Sequence, residues 1–355
     1  GRALNSAVNG NIALGVIGGG YASGDNKTCP AGAEAGGGSP GDGSFVRTPD
    51  GRIFRIVGGA AIHLDSCVPV GGCTGVTAVP NVSNYSAEPR NGTFMRKANG
   101  TGAGLITRIV GGHPIQLASC AAVNNCAGSL DIDAGGFEDY QAAHRSIANG
   151  NFIRVANGSK NGLIARAIGG HLIGLGTCAP LEGTCGSAVN VDEYGFDVYA
   201  KDHPNVMDGN FVRVANGSKN GLITRAAGGH LFGLGTCEPF GGACGAAVNV
   251  DEAGFDNYAK GHPAVANGTF VRVANGSKNG LITRAAGGHL VGLGTCAPFA
   301  GDCGAAVNVD EASFDTYAKS HPVINNGTFV RIANGNSAGL ITRAAGGALF
   351  GLSTC

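Results

Sequence analysis

The chain has no tryptophan and only two methionines among its 355 residues, and aromatic side chains make up 6% of it. Charged residues make up 14%, which is too few for a coiled coil or a highly charged disordered chain. Lys+Arg and Asp+Glu both total 24, so no net charge attracts nucleic acid or anionic membranes. No run approaches about 18 apolar residues, which excludes a membrane-spanning helix. We therefore expect no nucleic-acid partner and no membrane insertion.

Signatures of common enzymes and cofactor sites are also missing: there is no H-E-x-x-H, no Walker loop and no EF-hand loop. A G-x-S-x-G match at Gly37–Gly41 and a G-x-G-x-x-G match at Gly36–Gly41 both lie in the low-complexity stretch AEAGGGSPGDG. Neither lies between a strand and a helix, as the corresponding mechanisms require. We predict no catalytic residue, no metal and no cofactor. An enzyme that uses histidines in a channel is the alternative.

Glycine is abundant, with 65 residues, and much of it belongs to an internal repeat. The last four repeat starts are 59 residues apart, and a degenerate copy is recognisable at the N-terminus. The predicted units span residues 1–44, 45–93, 94–151, 152–210, 211–269, 270–328 and 329–355. Six units with an N-terminal extension is the alternative count.

Each full unit has the pattern of short strands. The segments FVRVA and LITRA are rich in β-branched residues and flank an Asn-Gly turn, HLFGLGTC predicts a third strand, and AVNVDE predicts a fourth. Residues 254–260 predict one helical turn that ends before His-Pro. We predict an all-β closed repeat array, a single domain over 1–355 forming a seven-bladed or six-bladed β-propeller with disulfide-stapled blades. A chain of separate small β units is the alternative.

The twelve cysteines form a regular pattern. Five units predict local disulfides, namely Cys67–Cys73, Cys120–Cys126, Cys178–Cys185, Cys237–Cys244 and Cys296–Cys303. The two remaining cysteines, Cys29 and Cys355, predict a bond that closes the ring, because a disulfide needs Cα atoms within about 7 Å. Six disulfides indicate an oxidising compartment, and we expect a mature secreted, extracellular protein.

Three residue types recur at fixed positions of the units. The candidate ligand-binding residues are His113, His171, His230, His289, Arg166, Arg225, Arg284, Tyr199, Tyr258 and Tyr317. The structural alternatives are that each His donates a hydrogen bond to a backbone carbonyl, each Arg pairs with an acid of the repeat, and each Tyr packs with a nearby Phe.

The segments Gly43–Arg47 and Gly51–Ala60 carry a resemblance to a known family. They are similar to the repeat "DGTFVR…GRVYRIAGGAPLYV" of secreted actinobacterial proteins, which often accompanies cell-wall hydrolase domains. The chain departs from that repeat where paired cysteines replace a Trp-containing stretch. The resemblance implies extracellular binding or targeting and assigns no binding residue.

Secretion, repetition and the lack of catalytic groups together favour a multivalent binding module. We expect lectin-like recognition of cell-surface or cell-wall glycans, or of another surface polymer, because identical units can present identical sites. The alternative is a structural or scaffold subunit of a secreted assembly, fibre or surface layer. Low charge and high glycine content favour this self-association into a larger complex.

Overall fold

The computed structural model describes residues 4–8, 11–15 and 40–352, apart from residues 182 and 300. The chain divides into two compact units, Gly1–Ser39 and Pro40–Cys355. In the first, β1 (Leu4–Val8) and β2 (Asn11–Gly15) form an antiparallel hairpin. Cys29 and Cys355 lie outside the described residues, so the ring-closing disulfide stays a prediction, as does a single domain over 1–355.

The second unit contains six consecutive sheets, five with four strands and the last with three. Sheet 1 contains β3 (Phe45–Arg47), β4 (Ile53–Val57), β5 (Ala60–Leu64) and β6 (Thr77–Ala78); sheet 2 contains β7 (Phe94–Lys97), β8 (Ile106–Val110), β9 (His113–Leu117) and β10 (Leu130–Ile132); sheet 3 contains β11 (Phe152–Val155), β12 (Ile164–Ile168), β13 (His171–Leu175) and β14 (Val189–Val191). Sheet 4 contains β15 (Phe211–Val214), β16 (Ile223–Ala227), β17 (His230–Gly233) and β18 (Val248–Val250); sheet 5 contains β19 (Phe270–Val273), β20 (Ile282–Ala286), β21 (His289–Gly292) and β22 (Val307–Val309); sheet 6 contains β23 (Phe329–Arg331), β24 (Ile341–Ala345) and β25 (Ala348–Gly351).

Four α-helices each follow the fourth strand of a sheet. They are α1 (Ala134–Ala143), α2 (Glu193–Asp202), α3 (Glu252–Gly261) and α4 (Glu311–Ser320). Short 3-10 helices lie near the cysteines, at Val68–Val70, Ala121–Val123, Ala179–Leu181, Thr184–Ser187, Glu238–Phe240, Ala243–Ala246, Ala297–Phe299 and Asp302–Ala305. The predicted helical turn is therefore a full ten-residue helix. No helix in the described part of the chain is both long and apolar enough to span a membrane.

The first three strands of each sheet form an antiparallel meander, whose second turn is Gly-Gly. In sheet 4, Gly228 and Gly229 have φ of 53° and 79°, which glycine adopts without the steric cost of a Cβ atom. The chain then crosses the sheet, so the fourth strand pairs in parallel with the first and the spatial order is third, second, first, fourth. The Val-Asn-Val strands alternate buried and half-buried positions, as strands covered mainly on one face do.

Disulfides hold the segment that makes this crossing. All five predicted local bonds are confirmed, each joining cysteines six or seven residues apart. They indicate an oxidising or extracellular environment.

The hydrophobic core lies between consecutive sheets. Ile168 and Ile173 of sheet 3, for example, pack with Val212 and Val250 of sheet 4, and Phe255 of α3 completes the cluster. Each helix also packs against the third strand of the preceding sheet, α2 on β9 and α3 on β13 among them. Units therefore depend on their neighbours for burial, as expected of a repeat protein.

The described residues thus confirm a mainly β, disulfide-bonded repeat with five similar four-stranded sheets. Residues 40–352 contain six sheets, of which sheet 6 has only three strands, so this region does not contain seven equivalent blades. Ring closure and the propeller architecture stay predictions.

Candidate functional site

The repeated arginines lie at the junctions between sheets. Arg166 stacks over Phe152, with its Cζ atom 4.7 Å from the ring centroid, and Nη1 donates to the carbonyl of Asn249 in the next sheet at 2.6 Å. Equivalent bonds run from Arg55 to Asp131, from Arg108 to Asn190 and from Arg225 to Asn308. Burial lowers the pKa of all four guanidinium groups. These arginines act as cross-links between neighbouring units.

The predicted pairing of these arginines with acids of the repeat is wrong for most units. Arg96, in the first strand of sheet 2, does form such a pair, with both carboxylate oxygens of Asp131. The helix acids Asp197, Asp256 and Asp315 instead pair with the turn lysines Lys160, Lys219 and Lys278. In the folded unit the turn lysine lies beside the start of the helix, and it therefore pairs with these carboxylates in place of an arginine.

A buried aspartate begins each helix and joins it to the preceding sheet. In α3, Asp251 accepts from Gly254 N at 3.2 Å, and also from Gly176 N and Thr177 N at 3.0 and 2.9 Å. Asp133, Asp192 and Asp310 accept from the two matching backbone N–H groups of their preceding sheets. In α2 and α3 one carboxylate thus caps a helix and also accepts from the end of a neighbouring strand, whereas the aspartates of α1 and α4 make only the second contact.

The histidines that open the third strands have the predicted structural contact. Nδ1 of His113, His171, His230 and His289 donates to the carbonyls of His144, His203, His262 and His321, at 2.6 to 3.0 Å. Burial is the main cause of a lowered pKa at His171 and His230, and it lowers the pKa of His113 to about 4. His113 is therefore neutral at pH 7. His203, His262 and His321 are the C-cap residues of α2, α3 and α4, and the predicted end of the helical turn before His-Pro is confirmed in α3.

The tyrosines are buried and bonded to the backbone. Tyr199 donates to the carbonyl of Gly170 and accepts from Ile147 N at 3.0 Å, and Tyr258 and Tyr317 repeat both contacts. Burial raises the pKa of Tyr199 and of Tyr258 to about 12 each, so both hydroxyls stay protonated donors. The predicted packing with Phe196, Phe255 and Phe314 is observed in the same core clusters.

Two of the three predicted residue types meet at each inner junction. The ring of His113 lies 5.0 Å from that of Tyr199 in the next unit, and the pairs His171–Tyr258 and His230–Tyr317 have the same spacing. The arginines lie elsewhere in the junction, and they do not line the cavity beside His113. Whether any of these residues binds a ligand stays a prediction.

A cavity of about 260 Å³ lies beside the first of these pairs, between sheets 2 and 3. We call it the junction cavity. His113 and Tyr199 line it, and His203 lies 6.1 Å from His113 between ring centroids. The rest of its polar lining is Gln116, Gln141, Arg145 and Asp202. The junction cavity thus combines aromatic rings with hydrogen-bond donors and acceptors, as small-molecule sites do.

These four lining residues were not predicted from the sequence, because the candidate residues were those that recur at the same position in several units. At the matching positions the next unit carries Gly174, Ala200, Pro204 and Gly261, so none of the four recurs. They are identified only by their position around the junction cavity in the folded protein.

One further cluster contains atoms that could ligate a metal. His63, Asp65 and Asp139 offer ligand atoms within 4.8 Å of one another at the junction of sheets 1 and 2. Imidazole and carboxylate ligands suit zinc or manganese. Gln116, Ala118 and Val198 occupy the matching positions one junction further on, so this cluster is not part of the repeat.

Comparisons with protein-family models, with curated proteins and with solved structures find no match to this chain.

Proposed function

We propose that this chain is a secreted multivalent binding module that recognises glycans of a cell surface or cell wall. The observation that carries the proposal is the junction cavity, in which an aromatic pair meets amide, guanidinium and carboxylate groups. Sugars present hydroxyl groups and apolar C–H faces, which these groups complement.

Ionisation within the junction cavity favours a neutral polyol over an ion. His113 is uncharged at pH 7, because its pKa is about 4. Arg145 and Asp202 provide one charge of each sign on the lining. The volume of the cavity suits a single sugar residue rather than a longer oligosaccharide.

Repetition supports the multivalent part of the proposal. The His–Tyr–His arrangement recurs at the junctions of sheets 3 and 4 and of sheets 4 and 5. Linked weak sites can raise apparent affinity roughly 10² to 10⁴-fold when the target is itself repetitive. The polar residues around the His–Tyr–His arrangement differ between junctions, so we expect the junctions to bind related ligands with unequal affinities.

A glycan array with the intact protein tests the proposal, and Asp202→Asn is the informative variant because Asp202 lines the junction cavity. We expect the variant to lose at least tenfold in affinity. Asp197→Asn, the same change on the same helix at an exposed ion pair, should bind like the unmodified protein. Absence of binding to every surface polysaccharide would remove this function.

Secretion and ring closure belong to the same proposal. The five disulfides support an extracellular location, and the packing of each sheet on the next supports a propeller of six or seven blades. Peptide mapping without reduction tests closure, which requires a bond between Cys29 and Cys355.

A scaffold subunit is the second candidate, and the exposed face of sheet 6 favours it. Phe329 and Phe350 are 61% and 57% exposed, whereas their counterparts Phe211 and Phe232 in sheet 4 are buried, Phe232 in a cluster with sheet 5. Such an apolar face favours self-association. Concentration-dependent oligomers in size-exclusion chromatography would support the scaffold, and a monomer at all concentrations would count against it.

A further inference from the structure

The junction of sheets 1 and 2 brings together three side chains that can ligate a metal. His63 belongs to β5, Asp65 comes directly after that strand, and Asp139 lies on α1, the helix that packs on β5. One ligand atom from each residue lies within 4.8 Å of the other two. We call these three residues the His–Asp cluster. It contains an imidazole as well as carboxylates, and its members come from two consecutive units.

The spacing within the His–Asp cluster fits a tetrahedral zinc ion. Zinc bonds of about 2.0–2.1 Å to nitrogen and oxygen place the ligand atoms of such an ion about 3.3 Å apart. Nδ1 of His63 lies 3.4 Å from Oδ1 of Asp65, so this pair already has the required separation. Asp139 is exposed on the surface of α1, so its side chain can rotate to bring an oxygen to the third position.

Gly135 is the residue that lets Asp65 lie against the helix. A Cβ atom at this position would lie 1.9 Å from Oδ2 of Asp65. Asp139 follows Gly135 by four residues and is therefore on the same face of α1, one turn further on. The other three helices have a residue with a side chain at the matching position, namely Tyr194, Ala253 and Ala312. The approach of Asp65 to α1 is thus specific to this junction.

The charges of the cluster favour a divalent cation. The carboxylates of Asp65 and Asp139 repel each other at this distance, and an ion bound between them removes the repulsion. Their two negative charges balance those of a divalent ion, and imidazole binds zinc as a neutral ligand. Asp133 adds a further carboxylate, which accepts from the backbone N of Asp65 at 3.3 Å.

We propose that His63, Asp65 and Asp139 bind one zinc ion, with a water molecule at the fourth position. The ion joins sheet 1 to α1 of the next unit. It stabilises the folded chain, because the three ligands come together only when the junction forms. The sequence alone predicts no metal here, since the ligands belong to two different units and do not recur in the repeat.

Isothermal titration calorimetry of the full chain, first freed of metal with a chelator, tests the site with zinc chloride as the ligand. We expect one zinc ion per protein that Asp65→Asn and Asp139→Asn each bind about tenfold more weakly or worse, because even outer partners of metal ligands contribute that much. Asp197→Asn, the same change at an exposed position of α2, should leave this affinity unchanged. No saturable binding, or equal affinity of all four proteins, would overturn the proposal.

NMR signals of the His63 ring locate the ion. Zinc should shift them with saturation at one equivalent, and Gly135→Ala, which displaces Asp65, should weaken this titration. An ion pair between His63 and Asp65 without a metal would produce neither effect. Zinc that binds while the His63 signals stay unchanged would place the ion elsewhere and contradict the assignment.

Thermal unfolding provides a readout of the link between the two units. Zinc should raise the unfolding midpoint of the unmodified protein and leave that of Asp139→Asn unchanged, since the ion stabilises only a folded chain that binds it. Equal shifts in both proteins would contradict the proposed ligands. Glycan binding belongs to the junction cavity between sheets 2 and 3, whose lining contains none of these ligands, so either proposal can fail without the other.

Discussion

At the scale of single residues, the aspartates that begin α2 and α3 each cap a helix and also bind the preceding sheet. The carboxylate of Asp251 is 1% exposed and accepts three backbone N–H groups, two of which belong to the preceding sheet. Removing it leaves the N–H of the buried Gly254 without its acceptor and breaks both contacts to the preceding sheet, which together cost more than one hydrogen bond normally contributes.

We predict that Asp251→Ala lowers the free energy of unfolding by about 2–4 kcal/mol, since a helix cap and a junction contact are lost together. Urea unfolding followed by circular dichroism measures this. Asp256→Asn, in the same helix, removes only an exposed ion pair with Lys219 and should cost less than about 1 kcal/mol. Equal effects of the two substitutions would contradict the junction role.

The pH dependence of His113 provides a second prediction at this scale. Its pKa falls from 6.5 to about 4 because burial disfavours the imidazolium, so the unfolded chain binds the proton more readily. The stabilising effect of the neutral ring is complete above pH 6.5 and is lost as the pH falls towards 4, a change on the order of 2–3 kcal/mol.

NMR titration of the His113 ring should give a midpoint near 4, and a midpoint near 6.5 would refute the prediction. His113→Ala removes this contribution to acid sensitivity. It is a tolerable change, because Ala60 and Ala348 occupy the same position in sheets 1 and 6.

At the scale of elements, α1, α2 and α3 each approach the preceding sheet so closely at one glycine that a Cβ atom would meet backbone, whereas α4 has Ser313 at the matching position. A Cβ atom on Gly254 would lie 2.5 Å from the carbonyl oxygen of Gly174, and one on Gly195 would lie 2.1 Å from that of Gln116. The contact is with backbone, which cannot move aside as a flexible side chain would.

We predict that Gly254→Ala destabilises the protein by about 2 kcal/mol or more, although alanine normally favours a helix over glycine by about 1 kcal/mol. Gly261→Ala at the end of the same helix meets nothing within 4 Å and should be neutral or slightly stabilising. Thermal unfolding of the two variants decides this. A stabilised Gly254→Ala would mean that the helix does not pack against β13.

Local sequence signals predict the elements but not their partners. Alternating β-branched residues, Asn-Gly turns and Gly-Gly breaks give the three meander strands, because these signals act within a few residues. The parallel pairing of the fourth strand and the packing of the helix against the preceding sheet depend on contacts between neighbouring units, for which no local pattern exists. The same limit applies to the junction cavity, where His113 was predicted and Gln141 was not.

At the scale of the whole molecule, stability is a sum over units and junctions. Sheet 6 has one junction among the described residues, lacks a fourth strand and exposes Phe329 and Phe350. Sheets 3 and 4 each have two complete junctions.

We predict that hydrogen exchange is fastest in residues 329–352 and slowest in sheets 3 and 4, because local opening costs least where fewest contacts are lost. Mass spectrometry of deuterated peptides measures the gradient along the chain. Uniform protection from sheet 1 to sheet 6 would show instead that the molecule opens as one cooperative body.

Because each helix packs on the sheet that precedes it in the chain, the units can be completed in the order in which they are synthesised. After the ribosome has made one meander, the N–H groups at the end of its third strand lack their acceptor until the aspartate of the next unit emerges, 67 to 75 residues later. The nascent chain therefore has one set of unsatisfied strand-end N–H groups at any moment, and this set always belongs to the most recently synthesised sheet. If the units assemble in order from the amino terminus, every earlier junction between sheets is already complete. A folding intermediate can then pair with a wrong partner only at its last sheet.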